Sequence, residues 1–235
     1  MRMTEQQVYD VPVPEATKSY SPVPHQFVSE TLQNVLSKYG VGVRKKHFAT
    51  NSSGTQLVAR FDLDQVTKDR TLGYRICFQN SYDKSMSVGF HKSAVVLVCD
   101  NGMMVEVSNM GQYRRKHTGN VQQILTKKIK HTLKGFPELM KQTVRDAEAM
   151  KQIKVDRTAA AELCGRMFIE HELINTVQLN VIKKELETPS YKAFAEPTLW
   201  SLYNHMTHSI KEAHPTKYVQ QHQSIHKFVK EQFNL

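Results

Sequence analysis

Ala94-Val95-Val96-Leu97-Val98-Cys99, followed by Asp100-Asn101-Gly102, is the stretch that decides the fold of this 235-residue chain. An unbroken apolar run of this length that ends at a turn signal predicts a β-strand buried on both faces. The turn that follows predicts that residues 103–107 return as the next strand. The run therefore marks the centre of a sheet, and its other partners should lie before it in the sequence.

Short β-like segments do precede this run. Residues 41–49 have alternating character, and Asn51-Ser52-Ser53-Gly54 is a hairpin turn signal. Residues 57–63 alternate apolar and polar side chains, and residues 74–79 follow with a second apolar face. Together, residues 41–107 predict an antiparallel β-meander of about five or six strands.

Helical spacing flanks the meander on both sides. Apolar residues recur at helical spacing over 25–39, where Gly40 supplies a stop, and most of the chain after residue 111 has the same periodicity. The order of N-terminal helix, strands and helical C-terminal half predicts an α+β fold. We expect residues 1–20 to be a flexible arm, residues 21–110 to hold the helix and the sheet, and residues 111–235 to form a basic helical region packed on that sheet, all in one domain.

Composition narrows the class of protein. The chain has 32 Lys and Arg against 22 Asp and Glu, a formal net charge of +10, which favours contact with nucleic acid or another acidic surface. Three cysteines without paired spacing indicate reduced thiols and a cytoplasmic protein. The start of the chain does not resemble a signal peptide, and no apolar run approaches the ~20 residues of a membrane helix, so we expect no membrane partner. A homo-oligomer is compatible with this composition.

The positive charge is concentrated in one segment. Residues 111–154 contain eleven Lys and Arg but only three Asp and Glu, a local charge of +8 out of +10. A basic excess confined to one predicted helical segment is the usual electrostatic footprint of a surface that meets phosphates.

Nine residues of this segment are candidate nucleic-acid ligands. The basic ones could contact a phosphate backbone, and the aromatic one could stack on a base. A solvated basic face is the alternative explanation, but inert surface helices usually mix both signs of charge. The candidates are Tyr113, Arg114, Arg115, Lys116, His117, Lys127, Lys128, Lys130 and Lys134.

No catalytic or cofactor motif of comparable strength is present. The histidine pairs His222/His226 and His205/His208 have helical spacing, but two imidazoles do not make a zinc site without further ligands. A nuclease would need clustered carboxylates for a divalent metal, and the acidic group Asp62, Asp64 and Asp69 matches no such site. We therefore expect no enzymatic activity, no metal and no cofactor.

Several motifs, taken in order, resemble a known family. They are Tyr20-Ser-Pro-Val-Pro-His25, Asn80-Ser81 with Asp83, Leu97-Val-Cys-Asp-Asn-Gly102, Arg114-Arg-Lys-His-Thr118 and Thr198-Leu-Trp-Ser-Leu-Tyr-Asn204 followed by Met206-Thr207. From about Tyr20 to about Lys211, this set resembles the phage- and plasmid-borne proteins classed as domain of unknown function 932. The resemblance implies a role on mobile elements, working on DNA or against host defence. A helix, a curved antiparallel sheet and basic helices are also similar, at the level of the fold, to the single-strand annealing recombinases.

The sequence thus predicts a phage- or plasmid-type nucleic-acid-binding protein, most concretely one that binds or anneals single-stranded DNA. The alternative is a non-enzymatic anti-defence protein, whose basic face would cover an acidic patch or a nucleic-acid channel of a host defence protein.

Overall fold

The structure, a computed structural model, has the α+β architecture that the sequence predicts. It describes residues 1–104, 113–211 and 213–235, and the side chains of residues 113–115 lie outside the description. The strands are β1 (Arg2–Met3), β2 (Val43–Thr50), β3 (Gln56–Val66), β4 (Leu72–Ser81), β5 (Val88–Val96), β6 (Asn101–Met103) and β7 (Tyr113–Arg115). The helices are α1 (Glu5–Tyr9), α2 (His25–Lys38), α3 (Val121–Lys134), α4 (Phe136–Gln152), α5 (Arg157–Gly165), α6 (Thr176–Glu187), α7 (Leu199–Ser209) and α8 (Pro215–Phe233).

The strands form one antiparallel sheet in which β1 to β6 follow each other in chain order. This confirms the predicted meander. β6 pairs with the last residues of β5 and β7 with its first residues, so both lie along the same edge of β5. From β2 to β6 the neighbouring strands are joined by short turns, because antiparallel strands need no crossover, whereas α1 and α2 lie between β1 and β2 in the chain.

One face of the sheet carries the main hydrophobic core. On β3 this face presents Leu57, Ala59, Phe61 and Leu63, all of them buried, as the alternation in the sequence predicts. Phe61 packs edge-on against Phe78 of β4, with ring centroids 5.7 Å apart. Helices α2, α3 and α4 bury their apolar sides in the same core. Each fully buried large apolar side chain contributes ~1.5–3 kcal/mol.

The central strand differs from the prediction in its bounds. We predicted a strand at 94–99, whereas β5 spans Val88–Val96, and Leu97 to Asp100 form a turn in which Val98 is 52% exposed. Asp100 has a φ of 58°, a left-handed conformation that ends the strand direction. The apolar run does not include the first part of β5, because that part contains the polar residues His91, Lys92 and Ser93, all of which are buried. The return strand is β6, Asn101–Met103, and residues 105–107 of the predicted one lie outside the described residues.

The opposite face of the sheet is covered by the first half of α8. Tyr218 and Val219 of that helix contact a small apolar cluster with Val58, Cys77 and Met104. The second half of α8 instead enters the main core through Ile225, Phe228 and Val229. One helix therefore spans two environments, and the sheet is covered on both sides.

Residues 1–20, which we expected to be a flexible arm, lie along the domain. β1 adds to the edge of the sheet by pairing with β2, and Thr4 caps α1 with a capping box. Val8 is fully buried, and the Tyr9 hydroxyl contacts the Ser29 hydroxyl of α2 at 2.9 Å. In the ranges that the structure describes, no helix is long and apolar enough to cross a membrane.

Candidate functional site

Helix α3 presents a basic face to solvent. Its buried residues are Val121, Leu125, Ile129 and Thr132, which pack toward the sheet and α2. The predicted ligands Lys127, Lys128, Lys130 and Lys134 are all exposed, as is His131. The helix contains no Asp or Glu. The amphipathic spacing that buries one side of α3 therefore leaves a cationic side on a helix that has no acid of its own.

Helix geometry explains this separation. At about 100° per residue, Lys127, Lys130 and Lys134 fall within an arc of about 60°. The buried residues of α3 lie in an arc between Val121 and Ile129. The centre of this arc is about 170° around the helix from the centre of the lysine arc. Within the described chain, no carboxylate lies within 4 Å of these three lysines. Their positive charges are thus free to meet an external anion.

Other predicted ligands have different environments. Lys116 is exposed just ahead of α3, where Gly119 adopts a φ of 56° in the connecting turn. His117 is only 4% exposed, and its ring lies 5.6 Å from that of Tyr20, so we leave it out of the exposed surface. Residues 113–115 form β7, although we predicted a helical region from residue 111 onward. The side chains of Tyr113, Arg114 and Arg115 lie outside the described part of the chain.

Helix α4 extends the basic surface on the same side of the sheet. Both α3 and α4 pack on β5, so their exposed sides point away from the same sheet face. Lys141 and Arg145 are exposed one turn apart on α4. Glu138 and Glu148 flank them, and Glu148 pairs with Lys151 at 2.6 Å. The positive charge is therefore most concentrated on α3.

Four of the five family-like motifs of the sequence form two buried networks. In the first, the imidazole of His25 stacks on the ring of Tyr82 at 4.0 Å. Its Nδ1 lies 2.8 Å from the Asn80 amide nitrogen, which also donates to the carbonyl of Val23. The Tyr82 hydroxyl accepts from the His25 backbone N–H at 2.8 Å. These residues join the start of α2 to the end of β4, so their role here is structural.

The second network ties the turn after β5 to α7. The Asn101 amide donates to the Asn204 carbonyl at 2.9 Å, and the Cys99 thiol contacts the Asn204 side chain at 3.8 Å. Lys211 donates to the Cys99 carbonyl at 2.6 Å. The sequence blocks 97–102 and 198–204 are therefore two halves of one contact.

A polar layer lies between the sheet and the first half of α8, and sequence reasoning missed it. It holds an ion pair in which Arg75 donates to Asp62 from Nε at 2.5 Å and from Nη2 at 3.1 Å. Beside it, Arg60 donates from Nη1 to the Tyr218 hydroxyl at 3.2 Å, and its guanidinium lies 5.1 Å from the centre of that ring. These side chains are at most 4% exposed. The sequence pattern predicts residues 58, 60 and 62 of β3 only as the polar face of an alternating strand.

Two histidines in the layer are held neutral. Burial, together with the charges of Arg60 and Arg75, lowers the pKa of His222 to about 3. Burial and the same two guanidinium groups lower the pKa of His47 to about 4. The imidazoles therefore add polarity but no charge at neutral pH. The signal that could have revealed the layer is Tyr218 and His222, one turn apart on an amphipathic helix.

Comparison with known proteins supports the family resemblance that the sequence motifs indicate. The sequence profile of a family described as domain of unknown function 932 matches residues 15–229. The chain belongs to this family. No curated protein and no solved structure gives a significant match.

In this member of domain of unknown function 932, several acidic and histidine side chains that could have suggested a nuclease or a metal site are engaged in structural contacts. Asp62, one of the carboxylates considered for a nuclease, is held by Arg75. His226 contacts Asp146 at 3.1 Å and the Tyr203 hydroxyl at 3.2 Å, anchoring α8 to α4 and α7.

His205 and His208 both approach the Glu185 carboxylate, at 3.4 and 3.8 Å. The same carboxylate accepts hydrogen bonds from Ser190. Among the described residues, no group of three or more His, Cys, Asp or Glu side chains is arranged to hold a metal ion.

Proposed function

We propose that this protein is a phage- or plasmid-type nucleic-acid-binding protein that binds single-stranded DNA through the exposed basic side of α3. The observation that carries the proposal is the absence of any acid on α3, combined with the exposure of Lys127, Lys130 and Lys134. Unneutralised lysines on one side of a rigid helix attract a phosphate backbone, because binding releases condensed counterions.

The neighbouring cations support a longer path for a strand. Lys116 lies before the first turn of α3, and Lys141 and Arg145 lie on α4, on the same side of the sheet. α3 has 14 residues and is therefore about 21 Å long. A path of this length suits several nucleotides of an extended strand. Annealing would be the more specific activity, and the cytoplasm is the compartment that we propose for it.

A salt series measures how many of these lysines contact phosphates. Fluorescence anisotropy with a labelled single-stranded oligonucleotide should give a log–log slope of about −0.7 per phosphate contact. Replacing Lys127, Lys130 and Lys134 together with Gln should flatten the slope by about 2 and weaken binding about 100-fold at 0.1 M salt. The loss should be similar for all sequences, since phosphate contacts carry no sequence information.

The matched control has the same change in net charge elsewhere on the surface. Lys183, Lys184 and Lys227 are exposed on α6 and α8. Their replacement with Gln should leave the slope within about 0.5 of the original, because only non-specific long-range attraction changes. Equal losses in both triple variants would contradict a defined surface on α3.

The same assay distinguishes the nucleic-acid proposal from the anti-defence alternative. If the wild-type protein binds no oligonucleotide at 20 mM salt, where non-specific attraction is strongest, the nucleic-acid proposal is wrong. The basic side of α3 would then remain as a surface for an acidic protein partner, as a host defence protein would provide.

A further inference from the structure

Among the residues that the structure describes, Arg60 carries a buried charge without a counter-ion. Its side chain projects from β3 toward α8 and is 4% exposed. Among the described residues, no carboxylate lies within 4 Å of its guanidinium, and its Nε has no hydrogen-bond partner. A buried, unpaired charge with an orphan donor is costly, and a bound anion is one arrangement that would satisfy it.

The neighbouring acids do not neutralise Arg60. The Asp62 carboxylate is shared between Arg75, at 2.5 Å, and Arg44, at 3.9 Å. Asp100 pairs with Lys45 through its carboxylate and accepts from Arg75 through its carbonyl. In the described part of the chain, the two carboxylates of the polar layer and its margin are therefore shared by Arg44, Lys45 and Arg75, and neither pairs with Arg60.

Neutral donors converge on the same place. The Tyr218 hydroxyl accepts a hydrogen bond from Arg60, so its own proton can be donated. The Nε2 atom of His47 is buried without a partner among the described residues. Strand pairing places His47 directly opposite Arg60. A guanidinium that is flanked by a phenol and an imidazole can supply charge-assisted and neutral hydrogen bonds to an oxyanion.

The first half of α8, which covers this layer, has a smaller apolar contact than the second half. The first half of α8 contacts the sheet through the small cluster of Val58, Cys77, Met104, Tyr218 and Val219. The second half is fixed in the main core and by Asp146, which also accepts from Lys230 at 3.2 Å. Segments with few buried apolar contacts open locally at lower free energy than the core. We therefore expect the first turns of α8, ahead of Gln221, which donates to the Leu173 carbonyl at 2.9 Å, to open at a lower free energy than its second half.

We propose that the polar layer is a second anion site, in which Arg60 binds a phosphate-type oxyanion that enters beneath the first turns of α8. The site lies on the opposite face of the sheet from α3, so it is independent of the function proposed above. The oxyanion is either free phosphate or a phosphate of a nucleic-acid strand, and both use the same donors.

Arg60→Met is the deciding variant. It keeps the length and the apolar stem of the side chain but removes the charge and the donors. With inorganic phosphate at about ten times its Kd, the wild-type unfolding midpoint should rise by about 3–6 °C relative to chloride at equal ionic strength. The midpoint of Arg60→Met should not respond to phosphate. Arg157→Met, on an exposed arginine of α5, is the matched control and should respond as the wild type does.

A second readout guards against a variant that folds poorly. Phosphate should shift the imidazole NMR resonances of His47 and His222 in the wild type and in Arg60→Lys, which keeps the cation. Equal phosphate responses in the wild type and Arg60→Met would mean binding to surface lysines only and would overturn the proposal. No response of the wild type to phosphate or to a single-stranded oligonucleotide would overturn it as well.

Oligonucleotide binding by the same variants distinguishes a phosphate of a nucleic-acid strand from free phosphate. If Arg60→Met weakens oligonucleotide binding at least fivefold in the background of the α3 triple variant, the layer takes a backbone phosphate. If only the response to inorganic phosphate is lost, the ligand is a small phosphorylated compound or the free ion. Either result supports an oxyanion site at Arg60, whatever the outcome at α3.

Discussion

Acid should destabilise this protein through His25, whose hydrogen bonds admit only the neutral ring. The imidazole is fully buried, and its Nε2 lies 3.1 Å from the Gly54 carbonyl, so Nε2 carries the proton. Nδ1 then accepts from the Asn80 amide at 2.8 Å. A second proton on Nδ1 would face that N–H donor in a buried site. Burial accordingly lowers the pKa of His25 to about 4, from an ordinary value of 6.5.

The sign and size of the effect follow from linkage. Between pH 6.5 and 4 the unfolded chain binds a proton at His25 that the folded chain does not, so stability falls as pH falls through this window. From pH 7 to pH 5 the loss from this one histidine is about 2 kcal/mol. His25→Gln offers an amide N–H to Gly54 and an oxygen to Asn80 but does not titrate, so it should lack this part of the loss.

The assay is urea unfolding of both proteins at pH 7 and pH 5. We expect the free energy of unfolding to fall about 2 kcal/mol further in the wild type than in His25→Gln. The ring resonances of His25 should remain in their neutral positions down to about pH 5. Equal pH dependence in the two proteins, or titration of His25 near pH 6.5, would refute the reasoning.

Three further predictions concern stability. Removal of residues 1–11 should lower the unfolding midpoint by about 3–12 °C, because Val8 is fully buried and β1 pairs with the sheet; an unchanged midpoint in calorimetry would show that the segment contributes nothing. Ala94→Asp should prevent soluble expression, since it buries a charge in β5, whereas Val98→Asp, in the exposed turn, should change stability by less than about 0.5 kcal/mol in urea unfolding. Lys92→Met should stabilise the protein by about 1–3 kcal/mol at pH 7, because the Lys92 ammonium is buried on the core face without a partner among the described residues. Burial lowers the pKa of Lys92, so the gain should shrink as pH rises above that lowered pKa. A destabilised variant would contradict this prediction.

Local periodicity was sufficient for most of the architecture. An amphipathic helix or a half-buried strand shows its period within ten or so residues, since each turn of helix or each pleat of strand repeats the same burial. That is why α2, the meander and the basic, acid-free side of α3 follow from the order of residues alone. The family motifs were visible too, although only the structure shows that they are buried contacts between distant blocks.

Burial by distant elements was beyond the reach of any such pattern. β5 runs through His91, Lys92 and Ser93 because layers on both sides of the sheet exclude water from them, and nothing within the strand itself indicates this cover. The same holds for the N-terminal segment, whose Val8 is buried in the main core, where α1 packs on α2.

The polar layer is the extreme case. Arg60 and Tyr218 are 158 residues apart in sequence, and their contact exists only because the first half of α8 folds back over the sheet. Sequence periodicity identifies the apolar face of a helix or strand, and the opposite, polar face is then taken to be exposed to solvent. Whether that side meets water or a second layer is a property of the tertiary packing, and it is what turns the polar side of β3 into a candidate anion site.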